Sequence, residues 1–272
     1  MASPVAKWLF KGLGPLLLVL PAAAQVPTGP ATAAQTTEAL DMSLSSECRV
    51  PGSKLYTLAP LSAVRAALEE SRPIRVLALG PSGAGSVSGS PSATYPSKLQ
   101  GELQKILPGV EAVIEQRSLP GEITAESKDR FMAVVAEVEP DLLLWQVGTN
   151  DALAKADIDA FTGALNEILE WLNRHGISVV LIEPSFHSAL ASDEHYNALG
   201  AAIQSSARQN EVPLVMRFEA MRFLSQQKTE AAKSQFRLND LGYRCMAEHV
   251  ARTISLSILE PAPSNSAPTE QE

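Results

Sequence analysis

A glycine-rich turn, Gly80-Pro81-Ser82-Gly83-Ala84-Gly85-Ser86, is the first segment that could take part in chemistry. It offers a serine hydroxyl, and a turn of this kind that enters a helix can hold a phosphate on its backbone N–H groups. It lacks the Lys-Ser/Thr of a P-loop and misses the dinucleotide-binding spacing by one residue. Ala84 also excludes the Gly-x-Ser-x-Gly elbow of α/β-hydrolases. This turn is therefore the only feature of the sequence that suggests a nucleotide-binding, Rossmann-like protein.

A second segment, Gly148-Thr149-Asn150-Asp151, gives the sharpest signal in the chain. It follows a buried apolar stretch. An asparagine on a tight turn at the carboxyl end of a strand points an amide donor into the crevice where ligands bind. The alternative is a turn in which Asn150 or Asp151 caps the next helix. These residues alone leave both interpretations open.

Alternating apolar and amphipathic segments predict the elements that must position these residues. The five predicted strands are 74–79, 110–114, 141–148, 177–182 and 212–218, and the five predicted helices are 95–107, 123–138, 158–174, 196–209 and 241–259. Such alternation implies a parallel sheet with helices on both faces, which binds ligands at the carboxyl ends of its strands. Pro213 indicates that the fifth strand is an edge strand.

Together these segments resemble the SGNH/GDSL hydrolase family over about residues 73–257. The matching pieces are Gly80-x-Ser82, Tyr95-Pro96-Ser97-x-Leu99, Gly121, Gly148-Thr149-Asn150-Asp151 and Leu238-Asn239-Asp240-x-Gly242-Tyr243. The resemblance implies an α/β fold of three layers, flavodoxin-like, with a five-stranded parallel sheet. It also implies hydrolysis of esters of lipids, small acyl groups or sugars, and we expect no cofactor and no metal.

The same resemblance implies that Ser82 attacks the ester carbonyl. The backbone N–H groups of Ser82 and Gly121 and the side-chain amide of Asn150 would hold the tetrahedral oxyanion. Each such donor contributes about 3–4 kcal/mol in a dry site. Glycine at 121 fits this role because it lets the backbone approach the substrate closely.

The chain departs from the family at the residues that activate the nucleophile. The late Asp-x-x-His motif of the family reads Ser234-Gln235-Phe236-Arg237 here, and Pro81 replaces the aspartate of the first block. Arg237 stays protonated, so it cannot accept the Ser82 proton. It can instead supply a fixed positive charge to an anionic ligand.

Four histidines are present, and they are the candidates for a relocated base. His175 ends a helix on the opposite side of the sheet, while His195 and His249 fall within helices and are expected to have surface or packing roles. His187 follows the fourth strand at the ligand-binding edge, and Asp193 or Glu183 could orient it. We therefore take His187 as the candidate replacement base.

Two functions of different classes follow. The first is an exported serine esterase of the SGNH type that is weak or uses a relocated base such as His187. The second is a non-catalytic SGNH-like domain that binds an ester, glycan or anion in the cell envelope, with Arg237 contributing charge. In both cases the ligand is a small molecule, an acyl ester or a glycan.

Charge and cysteine content exclude other classes. Lys and Arg total 22 against 30 Asp and Glu, which gives a net charge of -8 and no basic run to bind nucleic acid. The 2 cysteines are too few for a multi-cysteine zinc module. In an exported chain an even number favours pairing, so we expect a Cys48–Cys245 disulfide; the alternative is two free buried thiols.

The ends of the chain predict export to the periplasm or the medium. Residues 1–24 form a signal peptide, since Lys7 and Lys11 precede an apolar stretch of about 13 residues that is too short to span a bilayer. Cleavage would follow Ala22-Ala23-Ala24, and the alternative is an uncleaved anchor. Residues 25–45 are a flexible spacer, 46–259 the domain and 260–272 a disordered tail. We expect a monomer without a stable membrane span after cleavage.

Overall fold

A computed structural model describes residues 43–80, 94–119, 121–185, 190, 192–225 and 240–261, all within the unit formed by residues 33–272. Ser82, His187, Ser234 and Arg237 lie outside these residues, as do the predicted signal peptide and most of the predicted spacer and tail. Among the described residues, no helix is both long and apolar enough to cross a membrane.

Apolar runs form a six-stranded sheet. Its strands are β1 (Tyr56–Thr57), β2 (Ile74–Gly80), β3 (Ala112–Ser118), β4 (Leu142–Gln146), β5 (Ser178–Ile182) and β6 (Leu214–Val215). Their order across the sheet is β1-β6-β5-β4-β2-β3. All neighbouring pairs are parallel except β1 and β6, which are antiparallel. The α/β class is confirmed, but the expected five all-parallel strands are corrected to six with one antiparallel pair.

Pro213 does not mark an edge, because β6 lies between β5 and β1. The proline contributes only its carbonyl, which accepts a hydrogen bond from the Leu181 N–H at 2.9 Å. Its missing N–H is therefore not needed there. The added strand β1 covers the other side of β6, with Tyr56 opposite Val215. Sequence reasoning missed β1 because a two-residue strand exists only through this pairing.

Eight α-helices connect and cover the strands in the described part of the chain. They are α1 (Ser62–Glu69), α2 (Tyr95–Ile106), α3 (Thr124–Val138), α4 (Thr149–Ala154), α5 (Ile158–Arg174), α6 (Glu194–Gln209), α7 (Arg217–Ser225) and α8 (Asp240–Ser257). The helices α1, α4 and α7 were not predicted. The predicted strand 212–218 is cut short because α7 begins at Arg217, and β3 begins and ends later than predicted.

Two apolar clusters on opposite faces of the sheet give the three layers. The pleat sends Leu142 and Leu144 into one cluster, with side chains of α1, α2 and α8. It sends Leu143 and Trp145 into the other, with side chains of α3, α5 and α6. The strands are thus buried on both faces, as parallel strands normally are.

A disulfide and several hydrogen bonds join the start of the described chain to α8. A disulfide joins Cys48 to Cys245 with 5.0 Å between their Cα atoms, the pairing expected from the sequence. The Ser45 N–H and hydroxyl donate to the Glu248 carboxylate at 3.0 and 2.9 Å. Nε2 of buried His249 lies 2.6 Å from the Cys48 carbonyl oxygen. The disulfide is therefore one of several contacts that close the fold.

Candidate active site

The candidate site lies at the carboxyl ends of β2, β3 and β4, which are neighbours in the sheet. Gly80 ends β2, and a Cβ on it would lie 2.9 Å from Oε1 of Gln146, the last residue of β4. A side chain at position 80 would therefore require the Gln146 side chain to shift. Ser82 follows two residues later and lies outside the described residues.

Gly148 forms the turn that leaves β4. Its φ is +85°, and an added Cβ would lie 2.6 Å from Leu199 Cδ2 and 2.8 Å from Ile203 Cδ1. Both contacts are on the buried face of α6. This glycine is required by its left-handed backbone and by packing, so the turn into α4 is held firmly against α6.

Asn150 and Gly121 are brought together as expected from the sequence, but with a different contact. The Asn150 side-chain amide donates to the carbonyl oxygens of Leu119 at 3.2 Å and Glu122 at 2.9 Å. Its donors thus brace the loop that carries Gly121. An oxyanion at this place would have to replace one of these two acceptors.

Gly121 has a φ of +73° and is exposed, and an added Cβ would meet nothing within 4 Å. Its backbone conformation alone favours glycine. The close approach expected from the sequence would apply only when a ligand is bound.

Asp151 has a structural role. Its carboxylate accepts the Thr124 backbone N–H at 2.7 Å and the Thr124 hydroxyl at 3.0 Å. Thr124 is the first residue of α3, so Asp151 satisfies a donor at the start of that helix. Burial raises the pKa of Asp151 above its ordinary value. The alternative in which Asn150 or Asp151 caps the next helix is wrong, because both residues lie inside α4 and Asp151 instead binds the start of α3, an earlier helix.

A recess at these strand ends is lined by both apolar and polar residues. Phe131 and Trp145 form part of the lining, with ring centroids 4.3 Å apart. Oε1 of Gln146 and Oε2 of Glu122 are buried there and have no hydrogen-bond partner in the described part of the chain. The recess is also lined by Leu79, Gly80, Leu119, Gly148 and Asn150.

Three of the four histidines are described. His175 lies beside the amino end of β5, and its Nδ1 is 2.7 Å from the Trp171 carbonyl oxygen. His249 packs against the disulfide-linked segment, and burial lowers its pKa to about 4. His195 lies in the first turn of α6, where its Nε2 is buried without a partner among the described residues. His187, the candidate replacement base, is outside the described residues.

Both carboxylates considered as partners for His187 already have other roles. Asp193 accepts the Tyr196 N–H at 2.8 Å and pairs with Lys155 at 2.5 Å. The hydrogen bond from Lys155 is the largest cause that lowers the Asp193 pKa. Each oxygen thus has a donor, so Asp193 can orient a histidine only by giving one of them up.

Glu183 is buried at the end of β5. It accepts Gln204 Nε2 at 2.8 Å and the Phe218 N–H at 3.1 Å. Burial raises its pKa to about 7. Its two oxygens bridge α6 and the start of α7.

Sequence reasoning missed Arg217, a buried cation at the same edge of the sheet. It is 8% exposed, and it interacts electrostatically with the phenols of Tyr95, Tyr196 and Tyr243. The pattern placed it within a strand and gave no signal of burial. Among the described residues, no group of three or more His, Cys, Asp or Glu side chains is arranged to hold a metal ion.

Comparisons with known proteins agree with the fold. The sequence profile of the non-GDSL lipase-like family matches residues 47–260. None of the curated proteins compared with the chain matches it.

Among solved structures, a two-domain esterase (CEX) active on acetylated mannans is 16% identical with a TM-score of 0.62, covering 81% of this chain and 60% of its own. The lipase/acylhydrolase from Enterococcus faecalis is 17% identical with a TM-score of 0.55, covering 67% of this chain and 95% of its own. The acetyl xylan esterase AlAXEase is 21% identical with a TM-score of 0.52, covering 65% of this chain and 98% of its own. At these identities the likeness shows a shared fold.

Proposed function

The chain belongs to the non-GDSL lipase-like family, and from this premise we propose that it is an exported ester hydrolase-like protein. Ser82 is the nucleophile, and Gly121 and Asn150 bind the oxyanion. The observation that carries the proposal is the hydrogen bonding of the Asn150 amide to the loop of Gly121, next to the strand end that leads to Ser82. These are the groups that acyl transfer needs at one edge of the sheet.

Oxyanion binding would exchange one hydrogen bond for another. The Asn150 amide donates to Leu119 and Glu122 in the free protein. A negatively charged oxygen is a stronger acceptor than a carbonyl, so the tetrahedral intermediate would compete successfully for one of these donors. The backbone N–H groups of Ser82 and Gly121 would complete the hole.

Turnover is proposed to be slow, because the chain lacks the family's base. Ser234 and Arg237 stand where the Asp and His belong. When a catalytic triad is lost, the oxyanion hole and substrate binding still accelerate the reaction about 10³–10⁴-fold over the rate in water. A relocated base at His187 would restore part of the difference.

The second proposed function is a non-catalytic domain that binds an acylated glycan or an anion in the cell envelope. The buried, unpartnered polar atoms near the recess favour it, because they suit a ligand with several hydroxyl or charged groups. The likeness to an esterase active on acetylated mannans supports a glycan ester as ligand in either case. Arg237 would add a positive charge.

A panel of nitrophenyl and acetylated-glycan esters tests the two functions. The mature protein starting at Gln25 should hydrolyse at least one ester, and Ser82→Ala should abolish that activity. If wild type and Ser82→Ala give equal rates, Ser82 is not the nucleophile. A glycan that binds both proteins unchanged would then support the non-catalytic function.

The base is tested with matched histidine variants. His187→Ala should lower kcat, whereas His175→Ala should leave it unchanged because that side chain contacts a helix end beside β5. The double variant Ser234→Asp/Arg237→His should raise kcat if the rest of the site is intact. Equal kcat values for His187→Ala and wild type would remove His187 from the mechanism.

A further inference from the structure

The outer edge of β3 has no partner strand in the described part of the chain. This strand lies at the end of the sheet, where β2 is its one neighbour. The Ile74 N–H of β2 donates to the Glu111 carbonyl at 2.9 Å. The Leu119 N–H in turn donates to the Gly80 carbonyl at 3.4 Å. Because backbone groups alternate sides along a strand, the odd-numbered residues of β3 bond to β2 and the even-numbered ones face outward.

A side chain closes the beginning of this edge and leaves the rest open. The Ala112 N–H faces outward and donates to Oε1 of Gln100, in α2, at 2.9 Å. The next outward N–H groups have no hydrogen-bond partner among the described residues, and they belong to Ile114, Gln116 and Ser118. The open stretch is therefore symmetric about Gln116.

The side chains beside the open edge carry charges of both signs. Those of Glu115 and Arg117 are 42% and 44% exposed and pair with each other at 2.6 Å. Arg117 also lies 3.3 Å from Glu137 of α3, so both charges are on the α3 face of the sheet. Val113, on the same face, is 58% exposed. This face therefore presents an apolar, a negative and a positive side chain in that order.

A second copy can extend the sheet by laying its own β3 antiparallel to this one across a twofold axis. Residues that lie opposite each other are then equally distant from the axis. An axis at Gln116 places Glu115 opposite Arg117 of the second copy, and the symmetry repeats this pair. An axis at Glu115 or at Arg117 would place like charges opposite each other, which is destabilising. Charge therefore favours the axis at Gln116.

The open backbone groups favour the same axis. A residue whose backbone faces outward forms a hydrogen-bonded pair at the axis, and Gln116 is such a residue. Ile114 then exchanges hydrogen bonds with Ser118 of the second copy, so the open N–H groups are all used. An axis at Ile114 would require the Ala112 N–H, which already donates to Gln100.

The apolar residues next to the charges agree with this register. With the axis at Gln116, Val113 lies opposite Leu119 of the second copy, and Leu119 is half-buried at the end of β3. An axis at Ile114 would set Val113 against the charge of Glu115. Charged residues usually keep the edges of sheets apart. Here their alternating signs oppose other registers and favour this one.

We propose that the protein forms a homodimer in which β3 pairs with β3 of a second copy about a twofold axis at Gln116. One continuous sheet then runs through both copies. The open N–H groups, the self-complementary charges and the exposed Val113 all point to this partner. The dimer does not depend on ester chemistry at Ser82, and it differs from the monomer expected from the sequence.

Charge reversal tests the pairing in the full mature chain. Wild type should sediment as a monomer–dimer equilibrium at concentrations up to about 100 µM. Glu115→Arg and Arg117→Glu should each raise the dissociation constant at least about 10-fold, because each places like charges opposite each other twice. A wild type that stays monomeric throughout this range would overturn the proposal.

Mixing the two variants is the sharper test, because it restores the lost complementarity. One variant carries two arginines beside the edge and the other carries two glutamates, so every arginine meets a glutamate across the axis. The mixture should form heterodimers at least about 10-fold tighter than the homodimers of either variant. Recovery on mixing would also show that the variants are folded. Its absence would overturn the charge pairing.

The position of the axis is tested with single cysteines in the wild-type background. A residue on the axis lies opposite itself, and the Cα atoms of a hydrogen-bonded pair are about 5.5 Å apart, within reach of a disulfide. Gln116→Cys should therefore give a covalent dimer on oxidation. Val113→Cys is the control and should not, although Val113 is exposed. Cross-linking of Val113→Cys without cross-linking of Gln116→Cys would overturn the register.

Glu111→Arg is the matched control for charge. Glu111 is exposed on the same strand edge but precedes the paired stretch. Its reversal should leave the dissociation constant within about 2-fold of wild type, because exposed charges at a distance are screened by salt. An effect as large as that of Glu115→Arg would mean that net charge, rather than pairing of β3, controls association, and would overturn the proposal.

Discussion

Asn150 and Asp151 are neighbours in sequence, yet they hold different parts of one loop. Asn150 donates to the carbonyl groups of Leu119 and Glu122, and Asp151 accepts from Thr124 at the start of α3. The segment between β3 and α3 is thus held at both of its ends by residues of α4, the short helix after β4. Side chains that a sequence motif marks as catalytic therefore also hold neighbouring segments of the chain in place.

Asp151→Ala should destabilise the fold by about 2 kcal/mol, because it leaves a buried N–H and a buried hydroxyl of Thr124 unpaired. Urea denaturation measures the change in the free energy of unfolding. Asp157→Ala is the control, since Asp157 caps the start of α5 in an exposed place. It should cost only about 0.5–1 kcal/mol. Equal losses would mean that burial of the Asp151 contact is unimportant.

Gly148→Ala should cost more than Gly109→Ala. Both positions have a φ near +85°, at 85° and 88°, so the backbone strain of about 1 kcal/mol is shared. At Gly148 the new methyl group also meets Leu199 and Ile203, whereas nothing lies within 4 Å at Gly109. We expect a further loss of about 1–3 kcal/mol from this overpacking. Thermal unfolding of the two variants should show a lower Tm for Gly148→Ala.

At the scale of elements, Glu183 couples α6 to the start of α7 and should make stability depend on pH. Its pKa is about 7 in the folded chain and about 4.3 when unfolded. Between these values the native carboxyl keeps its proton while the unfolded one has lost it. The contribution of Glu183 to stability is therefore complete below about pH 4 and is lost as pH rises to about 7.

Glu183→Gln should remove this dependence, because an amide does not titrate there. Relative to wild type, the variant should gain about 2 kcal/mol of stability between pH 5 and pH 8. Denaturation curves at the two pH values give the difference. Subtracting wild type from variant cancels the titration of His249, whose lowered pKa acts in the opposite direction. A constant difference across this range would contradict the prediction.

The central elements could be predicted because their signals are local. A strand such as β4 is a continuous apolar run, and α5 carries its buried residues at helical spacing. The strand β1 and the helix α7 depend on contacts from distant parts of the chain, so no local pattern revealed them. For β1 that contact is β6, and for α7 it is the Glu183 carboxylate.

The candidate site could likewise be predicted only in part. Motif spacing along a parallel sheet predicted that Gly121 and Asn150 lie at one edge, and Asn150 donates to the carbonyl of Glu122, the residue after Gly121. The direction of the Asn150 amide could not be read from sequence, since it is set by two loop carbonyls. Arg217 interacts electrostatically with tyrosines of three separate helices, and no local pattern reveals such distant interactions, which explains why sequence reasoning missed it.

For the whole molecule, the disulfide between Cys48 and Cys245 spans a sequence separation of 197 residues. Reduction should lower stability by about 2–5 kcal/mol, because the unfolded chain regains the freedom that the bond removes. Denaturation with and without dithiothreitol measures the loss. The double variant Cys48→Ser/Cys245→Ser should match reduced wild type and should not respond to the reductant. A response of the double variant would point to a different cause.

The packing of residues 44–57 against α7 and α8 also affects when the domain can fold during its synthesis. A ribosome releases Cys48 and β1 long before it releases β6 and α8, so the first segment has no partner for most of synthesis. Such late pairing of distant segments slows folding and extends the time spent partly folded. A nascent chain that stops before residue 240 would leave this first segment exposed to chaperones and proteases. For an exported chain, arrival of α8 in the compartment where the Cys48–Cys245 disulfide forms is then the event that permits closure of the domain.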